Sequence, residues 1–215
     1  MKTIDRDTIT VIIADDHPLF RRGLKHALDD THDITVAAEV SNGDDLLSKI
    51  KEDKFDIVLL DIAMPGKSGL DLLKQLKTEH PALSVLVLSV YPEEQYAVRF
   101  IKAGASGYLT KESASEQLAQ AIRKIANGGK FASQKITEKL AFESSDPDRP
   151  PHEKLSNREY QVFCMIAAGK PLTEIGEDLS LSVKTISTHR SRILEKMRMT
   201  KNAELIHYAI KTNLL

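Results

Sequence analysis

Two hydrophobic rhythms run along this chain, and the first gives way to the second. Over the first 126 residues, short apolar runs without polar alternation recur at 8–14, 34–39, 56–60, 84–89 and 107–109. Unbroken runs rich in Val, Ile and Leu predict strands buried on both faces, as in a parallel sheet. Segments with helical spacing follow them at 19–28, 44–51, 69–77, 94–103 and 115–127. Strand and helix in regular alternation predict βαβ units, right-handed crossovers and helices on both faces of one sheet. Parallel strands point the same way, so the residues that end them share one edge.

From residue 153 only the helical rhythm remains. Ser156 and Glu159 form a capping-box pair, and the helix they open ends at Gly169. Pro171 suits the start of a second, short helix over 172–179. The turn Ser180-Leu181-Ser182 places Ser182 as cap of a third helix, Val183–Met197, and a fourth spans Asn202–Lys211. Between the two regions, 127–142 opens on a Gly pair and continues with a weak helical pattern. Residues 143–152 are polar and Pro-rich, the mark of an exposed linker. The expected organisation is a sheet domain over 8–126, a linker over 127–152 and a helical domain over 153–215.

The composition is ordinary for a soluble protein, 41% hydrophobic and 28% charged in 215 residues. No apolar run approaches a membrane span, and the N-terminus is too charged for a signal peptide, so a cytoplasmic protein is expected. One cysteine, Cys164, makes no internal disulfide. The net charge of −1 is unevenly placed. Residues 1–126 carry 16 basic and 20 acidic side chains, whereas 153–215 carry 10 and 7. The helical region is the basic one, which permits a nucleic-acid partner.

The chemistry-bearing residues fall at strand ends. Asp61 closes the third strand, and Asp15 and Asp16 follow the first. Three converging carboxylates repel, and a hard divalent cation with oxygen ligands, Mg²⁺ by default, removes the conflict. Ser89 ends the fourth strand and Lys111 follows the fifth. The set suits phosphoryl transfer onto Asp61, with Mg²⁺ and Lys111 neutralising the equatorial oxygens and Ser89 bonding one of them. A phosphatase using an Asp nucleophile would place a second Asp two residues later; Ala63 stands there. His17 is expected to be a loop or cap residue, and Gly104 and Gly107 to be turn positions. In the third C-terminal helix, Val183, Ile186, Ile193 and Met197 share one apolar stripe. Lys184, Thr188, Ser191 and Glu195 lie opposite, flanked by Ser187 and Arg192. A helix with short hydrogen-bonding side chains and cations on its exposed N-terminal half fits a DNA major groove.

The stretches IIADDHP, LLDIAMPG, LSV and GYLTK resemble the receiver domain of two-component response regulators, including the 22-residue interval from Ser89 to Lys111. The resemblance implies a CheY-like (flavodoxin-like) five-stranded receiver with Asp61 as phosphoacceptor. It implies Mg²⁺ held by Asp16, Asp61 and the Ala63 carbonyl, with Asp15 acting through water. Ser89 and Tyr108 would be the switch pair, phosphate drawing both inward, and Lys111 would contact the phosphoryl group. Glu112 departs from the family pattern, which often has Pro after the Lys.

The stretch LSNREYQVFCMIAAGKPLTEIGEDLSLSVKTISTHRSRILEKM resembles the NarL/FixJ (LuxR-type) helix-turn-helix output domain. That resemblance implies base contacts from Ser187, Thr188 and Ser191 and backbone contacts from Lys184, Thr185, Arg190 and Arg192. It assigns dimerisation to the last helix, where Leu205, Ile206, Ala209 and Ile210 pair; packing within their own domain is the alternative. Arg190 lies near the apolar stripe, which leaves a structural role open. The expected protein is a phosphorylation-activated transcriptional regulator, not a turnover enzyme. A sensor histidine kinase would donate the phosphoryl group. Double-stranded promoter DNA, a second copy of the chain when phosphorylated, and RNA polymerase would be its partners. The alternative is a phosphorylation-switched module whose output domain binds another protein.

Overall fold

A computed structural model of the chain describes residues 8–142, 150–212 and 214. It divides into two compact units, Met1–Ala141 and Phe142–Leu215. The first is built from β1 (Ile9–Ala14), α1 (Pro18–Asp29), β2 (Ile34–Val40), α2 (Gly43–Glu52), β3 (Ile57–Asp61), α3 (Gly69–Glu79), β4 (Ser84–Ser89), α4 (Glu93–Lys102), β5 (Gly107–Thr110) and α5 (Lys111–Ala126). A further helix, α6 (Gln134–Phe142), follows. The strands form one parallel sheet in the order β2-β1-β3-β4-β5, as the alternating rhythm predicts.

Every residue of the central strand β3 is buried. Val11, Ile13, Ile57, Leu59, Leu86 and Leu88 face one layer, with Leu24 and Leu28 of α1 and Leu118, Ala121, Ile122 and Ile125 of α5. Their chain neighbours Ile12, Val58, Leu60, Val85 and Val87 are equally buried and belong to the opposite face, since successive side chains of a strand alternate. The register pairs Ala14 with Leu60, Asp61 with Leu88 and Ser89 with Thr110, so the strand ends meet along one edge. Helices begin on short side-chain caps: Asn42 accepts from the Asp45 amide, Ser68 from Asp71 and Thr110 from Ser113.

The first part of the stretch expected as linker is folded onto the sheet unit. Phe131 makes a parallel bridge to Gly107 at the open edge of β5: its amide donates to Ser106, and its carbonyl accepts from Tyr108. Ile136 is buried, and the Ser133 amide donates to a Glu93 carboxylate oxygen at 3.0 Å. Gly107 is therefore no turn residue. A Cβ there would lie 2.7 Å from the Phe131 carbonyl, so the close approach of the two backbones demands glycine. The linker expected over 143–152 lies, from 143 to 149, outside the described residues.

The second unit comprises a 3₁₀ turn (Pro151–Lys154), α7 (Asn157–Ala167), α8 (Leu172–Asp178), α9 (Val183–Met197) and α10 (Asn202–Lys211). Both halves of the expected capping box at Ser156 and Glu159 are present, Ser182 caps α9, and Gly169 ends α7 at φ +83°. Cys164 is a core residue beside Val162, Phe163 and Ile166. No helix among the described residues is long and apolar enough to cross a membrane.

Candidate functional site

The shared strand edge gathers Asp15, Asp16, Asp61, Ser89 and Lys111. Asp15, Asp61 and Ser89 are fully buried. Lys111, the first residue of α5, reaches back so that Nζ stands 2.6 Å from Asp61 Oδ2 and 2.7 Å from Asp15 Oδ2. Asp61 Oδ1 accepts the Ala63 amide at 2.9 Å, which closes the turn after β3 and fixes the carboxylate plane. Asp15 Oδ1 accepts the His17 amide at 2.8 Å, and Arg21 of α1 donates to the Asp15 carbonyl. The ring of Phe20, also on α1, lies under the Lys111 ammonium, 4.6 Å from Nζ to its centroid.

These neighbours set the charge balance. Burial pushes the Asp61 carboxyl above the usual carboxylate range; Lys111 opposes that push and the Asp15 charge adds to it. Burial works against the Lys111 ammonium, but Asp61 and Asp15 outweigh it and hold its pKa above the usual lysine value. One lysine cannot offset three carboxylates. Donor atoms of Asp15, Asp16, His17 and Asp61 lie within 4.8 Å of one another, a hard, mostly oxygen donor set that fits Mg²⁺. From the sequence, His17 is expected to be a local loop or cap residue. It does precede α1 without a side-chain capping bond, but its Nδ1 lies 2.8 Å from Asp16 Oδ1 and 3.3 Å from Asp15 Oδ1. Its one sequence signal was adjacency to the acidic pair.

Ser89 Oγ accepts the Tyr91 amide at 2.9 Å, and the Tyr108 hydroxyl donates to the Tyr91 carbonyl at 2.9 Å. Tyr108 is buried, which pushes its phenol pKa well up. The structure thus already has Tyr108 inside, where the resemblance expects phosphate to draw it. Ser89, Tyr108 and Lys111 share the wall of a cavity of about 660 Å³ with Phe131 and Ser133 of the segment after α5. The Lys111–Glu112 peptide is trans, with no cis bond among the described residues.

In the second unit, Lys184, Ser187, Thr188, Ser191 and Arg192 project from α9 into solvent, while Thr185 and Arg190 are half-buried. Thr185 Oγ1 bonds the capping Ser182, and Arg190 Nε donates to Asn202 Oδ1 at the start of α10. Arg190 therefore joins α9 to α10, the structural role its place near the apolar stripe left open. Val183 does not join the packed part of the apolar stripe: as the first residue of α9 it precedes the packed turns that begin at Ile186, and it is 45% exposed. It extends the apolar stripe past the packed turns to the exposed start of α9. On α10, Leu205 and Ala209 are fully buried in their own domain, which is the packing alternative and not the dimer contact for these two; helical periodicity marks an apolar face without saying what covers it. Ile206 is half-buried and Ile210 is 60% exposed.

Two family models match the chain: the response regulator receiver domain over residues 11–123 and the bacterial regulatory proteins of the luxR family over 153–209. The response regulator GacA of Pseudomonas aeruginosa is 37% identical over 205 residues, covering 94% of this chain and 96% of that protein. The response regulator UvrY of Escherichia coli is 33% identical over 208 residues, covering 96% and 95%. Among solved structures, RcsB of Salmonella enterica serovar Typhimurium, bound to the promoter rprA with the phosphomimetic BeF₃⁻, shares 25% identity at a TM-score of 0.63, covering 94% of this chain and 98% of that one. An RcsB–DNA complex shares 26% identity at 0.59, covering 94% and 97%.

Proposed function

We propose, from the premise that this chain belongs to the NarL/FixJ-type response regulators, that it is a promoter-binding regulator switched by phosphorylation of Asp61. The observation that carries this reading is the buried Asp61 carboxylate, which shares one Lys111 ammonium with Asp15 at 2.6 and 2.7 Å. A sensor histidine kinase is the donor that a receiver domain serves.

Asp61 Oδ2 is the attacking atom, held in plane by the Ala63 amide on the other oxygen. Lys111, while still paired with the carboxylates, turns a further N–H to an equatorial oxygen of the incoming group and helps to neutralise it. Ser89 accepts the Tyr91 amide and also bonds the Tyr108 phenol, so its O–H would turn from the tyrosine to a phosphoryl oxygen when the group arrives. Asp16, Asp61 and the Ala63 carbonyl would hold Mg²⁺, with Asp15 through water; when bound, the cation supplies further neutralisation of the transferring group. Ala63 leaves no acid-base carboxylate two residues after the acceptor, in keeping with a regulator that modifies itself and turns over no external substrate.

The readout runs through residues that touch both the site and the segment after α5. Tyr91 bonds Ser89 and Tyr108, β5 bonds Phe131, and the first turn of α4 bonds Ser133. A shift of the β4–α4 turn is thus felt where the chain leaves the receiver. Lys184, Thr185, Arg190 and Arg192 would meet phosphates, and Ser187, Thr188 and Ser191 base edges, with Val183 available to a thymine methyl. Ile206 and Ile210 would supply the dimer contact, matching a two-fold operator. The test is incubation with a small phosphodonor and Mg²⁺: the intact mass gains one phosphoryl group in the wild type and none in Asp61→Asn.

A further inference from the structure

We infer that Phe20 is a positioning residue for phosphoryl transfer, acting through Lys111; this rests on the reading of Asp61 as acceptor. Three groups from three elements locate one ammonium: Asp15 after β1, Asp61 at the end of β3, and the face of Phe20 on α1. The ring differs in kind from the two carboxylates. An ammonium has three N–H donors, and an aromatic face attracts its charge without fixing the direction of any of them. Asp61 accepts one of them and Asp15 pairs with the same ammonium at 2.7 Å, which leaves a donor for an oxygen of the arriving phosphoryl group. The ring also helps to cover a lysine side chain that is only 11% exposed, so its charge acts in a water-poor site. An aliphatic side chain would seal the same space and leave Nζ free to swing on its four-carbon stem.

Phe20 reaches this place because α1 starts at Pro18 and presents Phe20, Leu24 and Leu28 on one face toward the core that α5 completes. The same spacing fits a plain core residue, so the test must separate packing from positioning. Phosphoramidate is the probe: as the Asp61 oxygen–phosphorus bond forms, the phosphorus–nitrogen bond of ⁺H₃N–PO₃²⁻ breaks and neutral ammonia leaves.

The rate of mass gain is measured with Mg²⁺ on full-length wild type, Phe20→Leu, Phe20→Tyr, Lys111→Met, Asp61→Asn and the double variant Phe20→Leu/Lys111→Met. Phe20→Met, whose unbranched chain adapts better to the space of the ring, replaces Phe20→Leu if the latter melts early. Phe20→Leu is expected to slow transfer about tenfold, Phe20→Tyr to restore it to roughly twofold of wild type, and Phe20→Leu to cost nothing further once Lys111 is Met. Proton spectra of the unphosphorylated proteins should show the Lys111 ε-methylene protons shifted upfield in wild type and Phe20→Tyr and unshifted in Phe20→Leu. A Phe20→Leu rate equal to wild type, or the same slowing with and without the lysine, overturns the inference and leaves Asp61 as acceptor. Equal mass gain in wild type and Asp61→Asn, or none in either, overturns the acceptor reading and the inference with it.

Discussion

Asp61 in the receiver and Glu159 in the helix-turn-helix domain are both buried carboxylates with a lysine ammonium 2.6 Å away, yet the fold moves them in opposite directions. Burial raises Asp61, and the neighbouring Asp15 adds to that against Lys111. Burial also works against Glu159, but Lys196 together with the amide and hydroxyl of Ser156 outweighs it and leaves the carboxyl below its usual range. No acidic group is among the main influences on Glu159 in the described residues; it sits in the first turn of α7, where the helix dipole favours a negative charge. The same ion pair therefore serves two ends. Where Lys196 and the Ser156 amide both donate to one carboxylate oxygen, it ties α9 to the start of α7. Where two acids compete for one lysine, it leaves a nucleophile whose conflict an incoming cation and phosphoryl group can resolve.

Exchanging the acids breaks this comparison most sharply. Asp61→Asn should abolish phosphoryl acceptance while leaving the helical domain intact, as read by intact mass and amide exchange. Glu159→Gln should leave phosphoryl acceptance unchanged and destabilise the helical domain by roughly 2 kcal/mol, since it weakens the capping box and strands Lys196. Its unfolding transition in urea measures that loss. Smaller is the effect of Gly107→Ala, about 1–2 kcal/mol from overpacking against the Phe131 carbonyl, with faster amide exchange at Tyr108 and Phe131.

The smallest effect sharpens the comparison by its sign. The folded pKa of Asp61 is raised above 3.8, so its stabilising contribution is present in acid and lost as pH rises through the folded value. Without divalent cation, Asp61→Asn should melt above wild type at neutral pH, and the gap should close on acidification. For Glu159 the folded value lies below 4.5, so its contribution is present at neutral pH and lost as pH falls through the folded value. Glu159→Gln should melt below wild type at neutral pH, with a gap that narrows in strong acid. Adding Mg²⁺ should raise the melting temperature of the wild type and leave the Asp61→Asn difference smaller or reversed.

Strand ends were legible because a doubly buried parallel strand leaves an unmistakable apolar run, and Asp61 and Ser89 stand at the last position of theirs. The bounds of α9 were legible because Ser182 is a cap with the right spacing. What periodicity lacks is the identity of the neighbour. It marked Leu205 and Ala209 as apolar but not as core, and it placed Val183 on a stripe whose packing begins one turn later. Gly107 was read as a turn because its partner, Phe131, lies far along the chain in a segment with little pattern of its own. His17 and Phe20 look like an ordinary loop residue and core residue until the fold sets them against the carboxylates and the lysine.

The most direct test of phosphate-controlled DNA binding is genome-wide capture of DNA by the full-length protein, comparing phosphodonor-treated wild type with Asp61→Asn. The expected result is a discrete set of sites with a shared two-fold motif, enriched in wild type and about tenfold weaker in the variant. Equal enrichment of the same sites by both proteins, or no sequence-specific enrichment by either, would contradict it.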